Sequence, residues 1–231
     1  MPGSCSWDQE GLPGQGVTAM PIIPVPQLKP AGLDLIQSVT GPFGTILADP
    51  PWQFSNRTGK MAPEHRRLRR YSTMAFEQIM ELPVAQLVAP KSHLYLWVPN
   101  ALIREGLEVM RRWGFTYKTN LIWFKVRKDG GPDGRGVGFY FRNVTEVVLF
   151  GTRGQLRTRA AGRRQTNIIV SRKREHSRKP DELYDVIEQC SPGPFLEMFA
   201  RHNRPGWSQW GNEVDSAPRM QTLPLFRVAV S

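Results

Sequence analysis

The chain has 231 residues, with 31 Lys and Arg against 20 Asp and Glu, a formal net charge of +11. That length supports one domain with a proper core plus tails. Cys5 and Cys190 alone cannot build a disulfide framework or a zinc set, and no run of about 18 apolar residues offers a membrane span. The start, Met1-Pro2-Gly3-Ser4-Cys5, lacks the basic and apolar parts of a signal peptide, so a reducing cytoplasm is the expected setting. The basic excess favours a polyanionic partner, although merely basic proteins share it.

Residues 1–31 hold six prolines and no sustained period, which predicts an N-terminal tail or strap. The main domain is expected over 32–214 and a second tail over 215–231. Leu33-Asp34-Leu35-Ile36 reads as a short packed segment. Gly44-Thr45-Ile46-Leu47-Ala48 then reads as a buried strand. It must end at Asp49-Pro50-Pro51-Trp52, because proline has no N–H for a ladder. The basic stretch that follows includes Arg57, Lys60, Arg66 and Arg67, and suits either a solvated loop or a substrate lip. Tyr71-Ser72-Thr73-Met74 leads into a helix through Phe76, Ile79 and Met80, with Thr73 as its expected cap.

Ser92–Pro99 is expected to be a strand and Asn100 to cap a helix whose buried face is Ile103, Leu107 and Met110, stopped by Gly114. Asn120–Lys125 and Glu146–Gly151 read as further strands. Between them, the glycine-dense 128–138 segment fits neither a dinucleotide nor a Walker pattern, and a loop closing over a target suits it better. Phe139-Tyr140-Phe141-Arg142-Asn143 joins aromatic to polar residues, as sites that hold a base among rings do. Arg153–Lys179 carries ten basic residues and one acid, with Arg163, Arg164, Arg172 and Lys173 at its densest points. Phosphate footing and a solubilising loop both fit that composition. A helix follows Pro180, with Leu183, Val186, Ile187 and Cys190 on one face, then strands at 195–201 and 206–213.

The chemistry suggested by Asp49-Pro50-Pro51-Trp52 is methylation of an exocyclic amine. In an open α/β sheet, ligands bind at the carboxyl ends of strands, which places Asp49 at a rim. The amino nitrogen of adenine is a poor nucleophile, its lone pair being delocalised into the ring. A carboxylate and the Pro50 carbonyl, both acceptors, can hold its two N–H bonds and favour a pyramidal nitrogen. Trp52 is expected to stack on a base flipped from its helix. Positioning and electrostatics would then do most of the catalysis.

At these residues the chain resembles the MT-A70-like adenine-N6 methyltransferases, chiefly their short bacterial and phage members. Asp49-Pro50-Pro51-Trp52, Tyr71-Ser72-Thr73-Met74, Lys179-Pro180-Asp181-Glu182-Leu183-Tyr184 and Gly211-Asn212 carry the likeness. The resemblance implies a Rossmann-like fold in circularly permuted motif order and S-adenosylmethionine as cofactor. It implies DNA as substrate, with RNA as the alternative, and a homodimer or a methyltransferase-like partner subunit. It places Tyr71 near the flipped base. Asp49, Lys179, Arg201, His202, Asn203 and Asn212 would hold the cofactor, Lys179 at its methionyl carboxylate, His202 and Asn203 at ribose hydroxyls and Asn212 at its adenosine part, with no metal required. Lys125, in Trp123-Phe124-Lys125, and Glu146 match positions that face the substrate. A silent nucleic-acid-binding copy is the reading from another class. Asp49 and Lys179, both kept here, speak against it.

Overall fold

The computed structural model describes residues 30–53, 73–134, 140–172 and 178–211. Expectations for both tails, Tyr71, Arg57, Lys60, Arg66, Arg67, Lys173 and Asn212 fall outside those residues. Five helices are described: α1 Pro30–Ser38, α2 Phe76–Met80, α3 Val84–Leu87, α4 Ile103–Arg112 and α5 Glu182–Cys190. The strands are β1 Phe43–Ala48, β2 Val88–Val98, β3 Thr116–Val126, β4 Thr145–Arg153, β5 Ile168–Arg172, β6 Phe195–Met198 and β7 Trp207–Trp210. They form one sheet in the order β5-β3-β4-β2-β1-β6-β7. The α/β expectation therefore holds as a mixed seven-stranded sheet with helices.

Strand β1 is buried throughout and lies parallel to both neighbours, β2 and β6. A parallel strand covered on two faces needs an apolar run, and Phe43, Ile46, Leu47 and Ala48 supply one. Ile46 and Ala48 join a core that includes Leu35 of α1, Ile79 of α2 and Val109 and Met110 of α4. Leu47 belongs to the opposite layer, with Tyr95, Trp97, Trp123 and the Leu183 and Ile187 face of α5. One strand is reversed: β4 runs antiparallel to both β2 and β3, while β5 is parallel to β3. The start of β4 therefore reaches the same rim as the ends of β1, β2 and β3.

Several local expectations need correction. The buried face of α4 is Gly106, Val109 and Met110, whereas Ile103 and Leu107 are exposed. Gly106 sits in the contact because Val98 and Leu149 leave no room there for a Cβ. Asn100 opens a 3-10 turn, Asn100–Leu102, and does not cap α4. Its amide donates to the Thr145 carbonyl at 3.3 Å, tying the end of β2 to the start of β4. Thr73 is not the cap of α2; Ala75 holds that position, and its N–H donates to the Gln78 carboxamide at 2.9 Å. The 153–179 stretch contains a 3-10 turn, Ala160–Arg163, and the parallel edge strand β5. The β-branched run Ile168-Ile169-Val170 outweighs the surrounding charge in setting that strand.

Candidate active site at the carboxyl rim

Asp49 directly follows β1, and its N–H donates to Met198 O at 3.4 Å, binding it to the end of β6. The turn behind it is closed by Trp52 N–H donating to the Pro50 carbonyl at 2.8 Å. That bond fixes the direction of the carbonyl and leaves it a second lone pair. Pro51 O accepts the Met74 N–H at 3.0 Å, so the Thr73-Met74 segment lies against the Asp-Pro-Pro-Trp turn. Trp52 departs from expectation. Its ring is only 6% exposed and belongs to the core, and its Nε1 donates to Trp97 O at 2.9 Å. The indole anchors the turn and offers no free face for a stacked base.

Around Asp49 the rim gathers two ammonium groups and a second carboxylate. Lys179 Nζ lies 3.4 Å from Asp49 Oδ2 and 2.8 Å from Glu146 Oε2. Lys125 Nζ donates to the other oxygen, Glu146 Oε1. Both lysines rest over indoles, Lys179 at 4.5 Å from the Trp97 ring centroid and Lys125 at 5.0 Å from that of Trp123. A cation over an indole face is attracted by its quadrupole, the more so when partly desolvated. The lysines are thus held from below as well as from the side.

Burial and charge split the two acids. Burial raises Asp49 above its ordinary value, against the pull of Lys179 and Arg201 and with a push from Glu146. For Glu146 burial acts in the same sense, but Lys179 and Lys125 together outweigh it and hold the group down at about 2. Burial works against the charge on Lys179, yet Asp49 and Glu146 overcome it and raise its pKa. Glu146 is therefore the committed anion and Asp49 the acid closer to protonation. Such an opposed pair marks a site poised for work.

A second group continues along the rim over β6 and β7. Tyr184 OH donates to Glu197 Oε1 at 2.7 Å, and burial raises the Glu197 pKa. Arg204 lies 3.7 Å over the Tyr184 ring and bonds Asp181 at 3.3 Å. Phe199 takes φ +63°, a left-handed conformation uncommon for a bulky residue, as the chain leaves β6 for Arg201, His202 and Asn203. Arg201 is half-buried, while His202 and Asn203 are exposed, and the His202 carbonyl accepts from Gln209 at 2.8 Å. Gly211 passes so close to Ala200 that a Cβ would stand 2.3 Å from the Ala200 carbonyl oxygen.

Asp49, Pro50, Lys125, Glu146, Lys179 and Arg201 thus gather at one rim. Arg142 and Asn143 stand near it: Arg142 donates to Gly134 O at 3.2 Å, and the Asn143 amide oxygen accepts from Asn100 at 3.4 Å. Arg172 closes β5 at the same edge, opposite Val126. Arg163 and Arg164 do not join them, since they belong to the turn beyond the far end of α5. Tyr184 was visible in the sequence only as the end of the Lys179–Tyr184 motif, and Trp97, Glu197 and Arg204 had no role assigned. Glu197 did leave a signal, a lone acid inside the apolar run Phe195-Leu196-Glu197-Met198.

The carboxyl rim of this mixed α/β sheet thus sets an Asp-Pro-Pro-Trp turn beside a lysine that precedes a helix. The MT-A70 family profile matches residues 43–213. The chain is 31% identical over 184 residues to the N(6)-adenosine-methyltransferase catalytic subunit METTL3 of Homo sapiens, covering 77% of this chain and 29% of that protein. It is 32% identical over 181 residues to an Arabidopsis thaliana N(6)-adenosine-methyltransferase MT-A70-like protein, covering 77% and 24%. It is 26% identical over 191 residues to the type II methyltransferase M.MunI of Mycoplasma sp., covering 74% and 78%. The chain spans only about a quarter of the length of its plant and animal relatives. It belongs to the MT-A70 family. Among the described residues, no helix is long and apolar enough to cross a membrane.

Proposed function

We propose that this chain methylates the N6 amine of adenine in DNA, taking the methyl group from S-adenosylmethionine. The observation that carries this reading is the adjacency of two fixed acceptors, the Asp49 carboxylate and the Pro50 carbonyl, within reach of Lys179. The bound sulfonium supplies an electrophilic methyl group. The two acceptors hold the two amine N–H bonds and turn the nitrogen lone pair towards that carbon. Transfer to the nitrogen held by Asp49 and Pro50 would break the C–S bond, its electron pair leaving with sulfur. The proton then passes from the charged nitrogen to Asp49 or to solvent, so no strong base is needed.

The rim residues fit that cofactor. Lys179 can exchange a carboxylate of its own network for the methionyl carboxylate. Glu197, with one oxygen committed to Tyr184, has the other available for ribose hydroxyls, beside Arg201, His202 and Asn203. On this reading the order of β1 before β6 along the chain supports the permuted motif order. Glu146 and Lys125 set the charge beside the target amine, and Arg142, Asn143 and Arg172 flank the path a strand would take to it. DNA is favoured because the chain matches most of the length of M.MunI and only a minor part of the eukaryotic relatives. RNA is the reading supported by the higher identity to METTL3.

Methyl transfer from labelled S-adenosylmethionine to matched single- and double-stranded DNA and RNA, with the product nucleoside identified, tests both. N6-methyldeoxyadenosine is the expected product. Wild-type turnover by Asp49→Ala with cofactor binding intact would overturn the mechanism.

A further inference from the structure

At the other end of α5 lies a cavity of about 480 Å³, walled by the 156–167 segment, the start of β3 and the end of β4. It shares no residue with the candidate active site. Asn120 lies near the middle of β3 and Lys125 near its end, about 16 Å apart at the rise of an extended chain. Leu121, Tyr95, Phe150 and Val186 make an apolar and aromatic floor. Lys118, Arg157 and Arg163 stand at the mouth, and no acidic side chain lines the cavity. Among the described residues, none of these three cations has a carboxylate partner.

The floor is built, not collapsed. Tyr95 OH meets Ser191 Oγ at 2.7 Å, and Ser191 meets His93 Nδ1 at 2.8 Å, all three buried. The Phe150 ring packs against both His93 and Tyr95, with centroids 5.0 Å away in each case. The outer wall is fastened to the helix end, Arg159 N–H donating to Cys190 O at 2.8 Å. Small-molecule sites are commonly pre-formed concavities of roughly 300–1,000 Å³ with apolar walls and a few convergent polar groups. This cavity meets each condition.

We propose that the cavity is a second binding site, for a small amphipathic anion: one flat apolar body bearing one phosphate or carboxylate. The floor takes the ring, and Arg157, Arg163 and Lys118 take the charge. A bare phosphate backbone would use the cations and leave the aromatic floor unfilled, so a compact ligand accounts for both. The assignment is independent of the methyl-transfer reaction.

The test titrates the full chain with 8-anilinonaphthalene-1-sulfonate, an anion of this shape, and follows its fluorescence. Single-site binding is expected, weakened at least tenfold in the double variant Arg157→Glu, Arg163→Glu. Val186→Trp, which fills the floor, should abolish it with the melting temperature confirming a folded chain, and Lys179→Ala should leave it unchanged. Displacement by adenosine 5′-monophosphate identifies a nucleotide site, and displacement by 2-naphthoate alone an aryl carboxylate site. Absence of binding, unchanged affinity in both cavity variants, loss of binding in Lys179→Ala, or failure of both competitors would each overturn the proposal.

Discussion

On the proposed mechanism Asp49 works as an ionised acceptor for one amine N–H beside the Pro50 carbonyl, and its raised pKa decides where activity begins. Turnover should fall with acid through a limb lying above the ordinary aspartate value of 3.8. Glu146 contributes to that raise by its charge and also competes for Lys179. In Glu146→Gln both effects vanish, so the acid limb of the remaining turnover should shift to lower pH in a kcat/KM profile. Asp49→Asn keeps the shape but replaces an acceptor with a donor, and should lower kcat by roughly 10² to 10³, the scale of losing one aligned polar contact at a reacting centre. Cofactor affinity, read by calorimetry, should change far less. Glu146 also bears on stability. Its pKa falls from 4.5 unfolded to about 2 folded, so its contribution is complete above 4.5 and is lost as pH falls towards 2. At neutral pH that linkage is worth on the order of 3 kcal/mol before solvent screening reduces it. Acid unfolding of the wild type and of Glu146→Gln should therefore converge near pH 2.

Elements differ in how far their sequences announced them. Strand β1 was legible because a doubly covered parallel strand has to be apolar and its Asp-Pro-Pro stop has no other reading. Helix α5 was legible from its Leu183, Ile187 and Cys190 stripe, all three buried. Helix α4 was misread by one face, because its closest contact is made by Gly106, which carries no hydrophobic signal at all. There the sheet comes within 2.5 Å of where a Cβ would lie, at a Val98 methyl. Gly106→Ala should cost about 1–2 kcal/mol in denaturant melts, overpacking outweighing the gain in helix propensity. Strand β5 was hidden for the opposite reason, since ten basic residues in one stretch masked three β-branched ones. The rim itself was half legible. Motifs gave Asp49, Lys179 and Arg201 directly. Trp97 looked like any strand residue, and only the folded sheet puts its ring beneath Lys179. Trp52 shows the reverse error, an aromatic three positions after Asp49 that serves the core. Helix α1 adds a long-range tie, Trp210 Nε1 donating to Asp34 at 2.7 Å across the chain. Asp34→Ala should cost about 1–2 kcal/mol by leaving that half-buried N–H without its partner.

For the whole molecule, a net charge of +11 means that the proposed binding to nucleic acid should depend on salt. If about four phosphates are neutralised, affinity should fall roughly 100-fold between about 50 and 200 mM salt, through counterion release. Arg172→Ala should reduce the slope of log affinity against log salt by about one and weaken all sequences alike. Tertiary order also constrains where change can occur. Strands β3 and β4 are paired from Thr116 with Thr152 up to Phe124 with Thr145, and the diagonal Lys125–Glu146 ion pair lies at the loop end of that hairpin. The described residues beyond that pairing, 127–134 and 140–144, therefore form a tip on a fixed handle. A lineage could lengthen, shorten or replace that tip to meet new targets while the charged quartet beneath it kept its spacing. Grafting the corresponding tip of a relative should accordingly exchange target preference and leave cofactor affinity where it was.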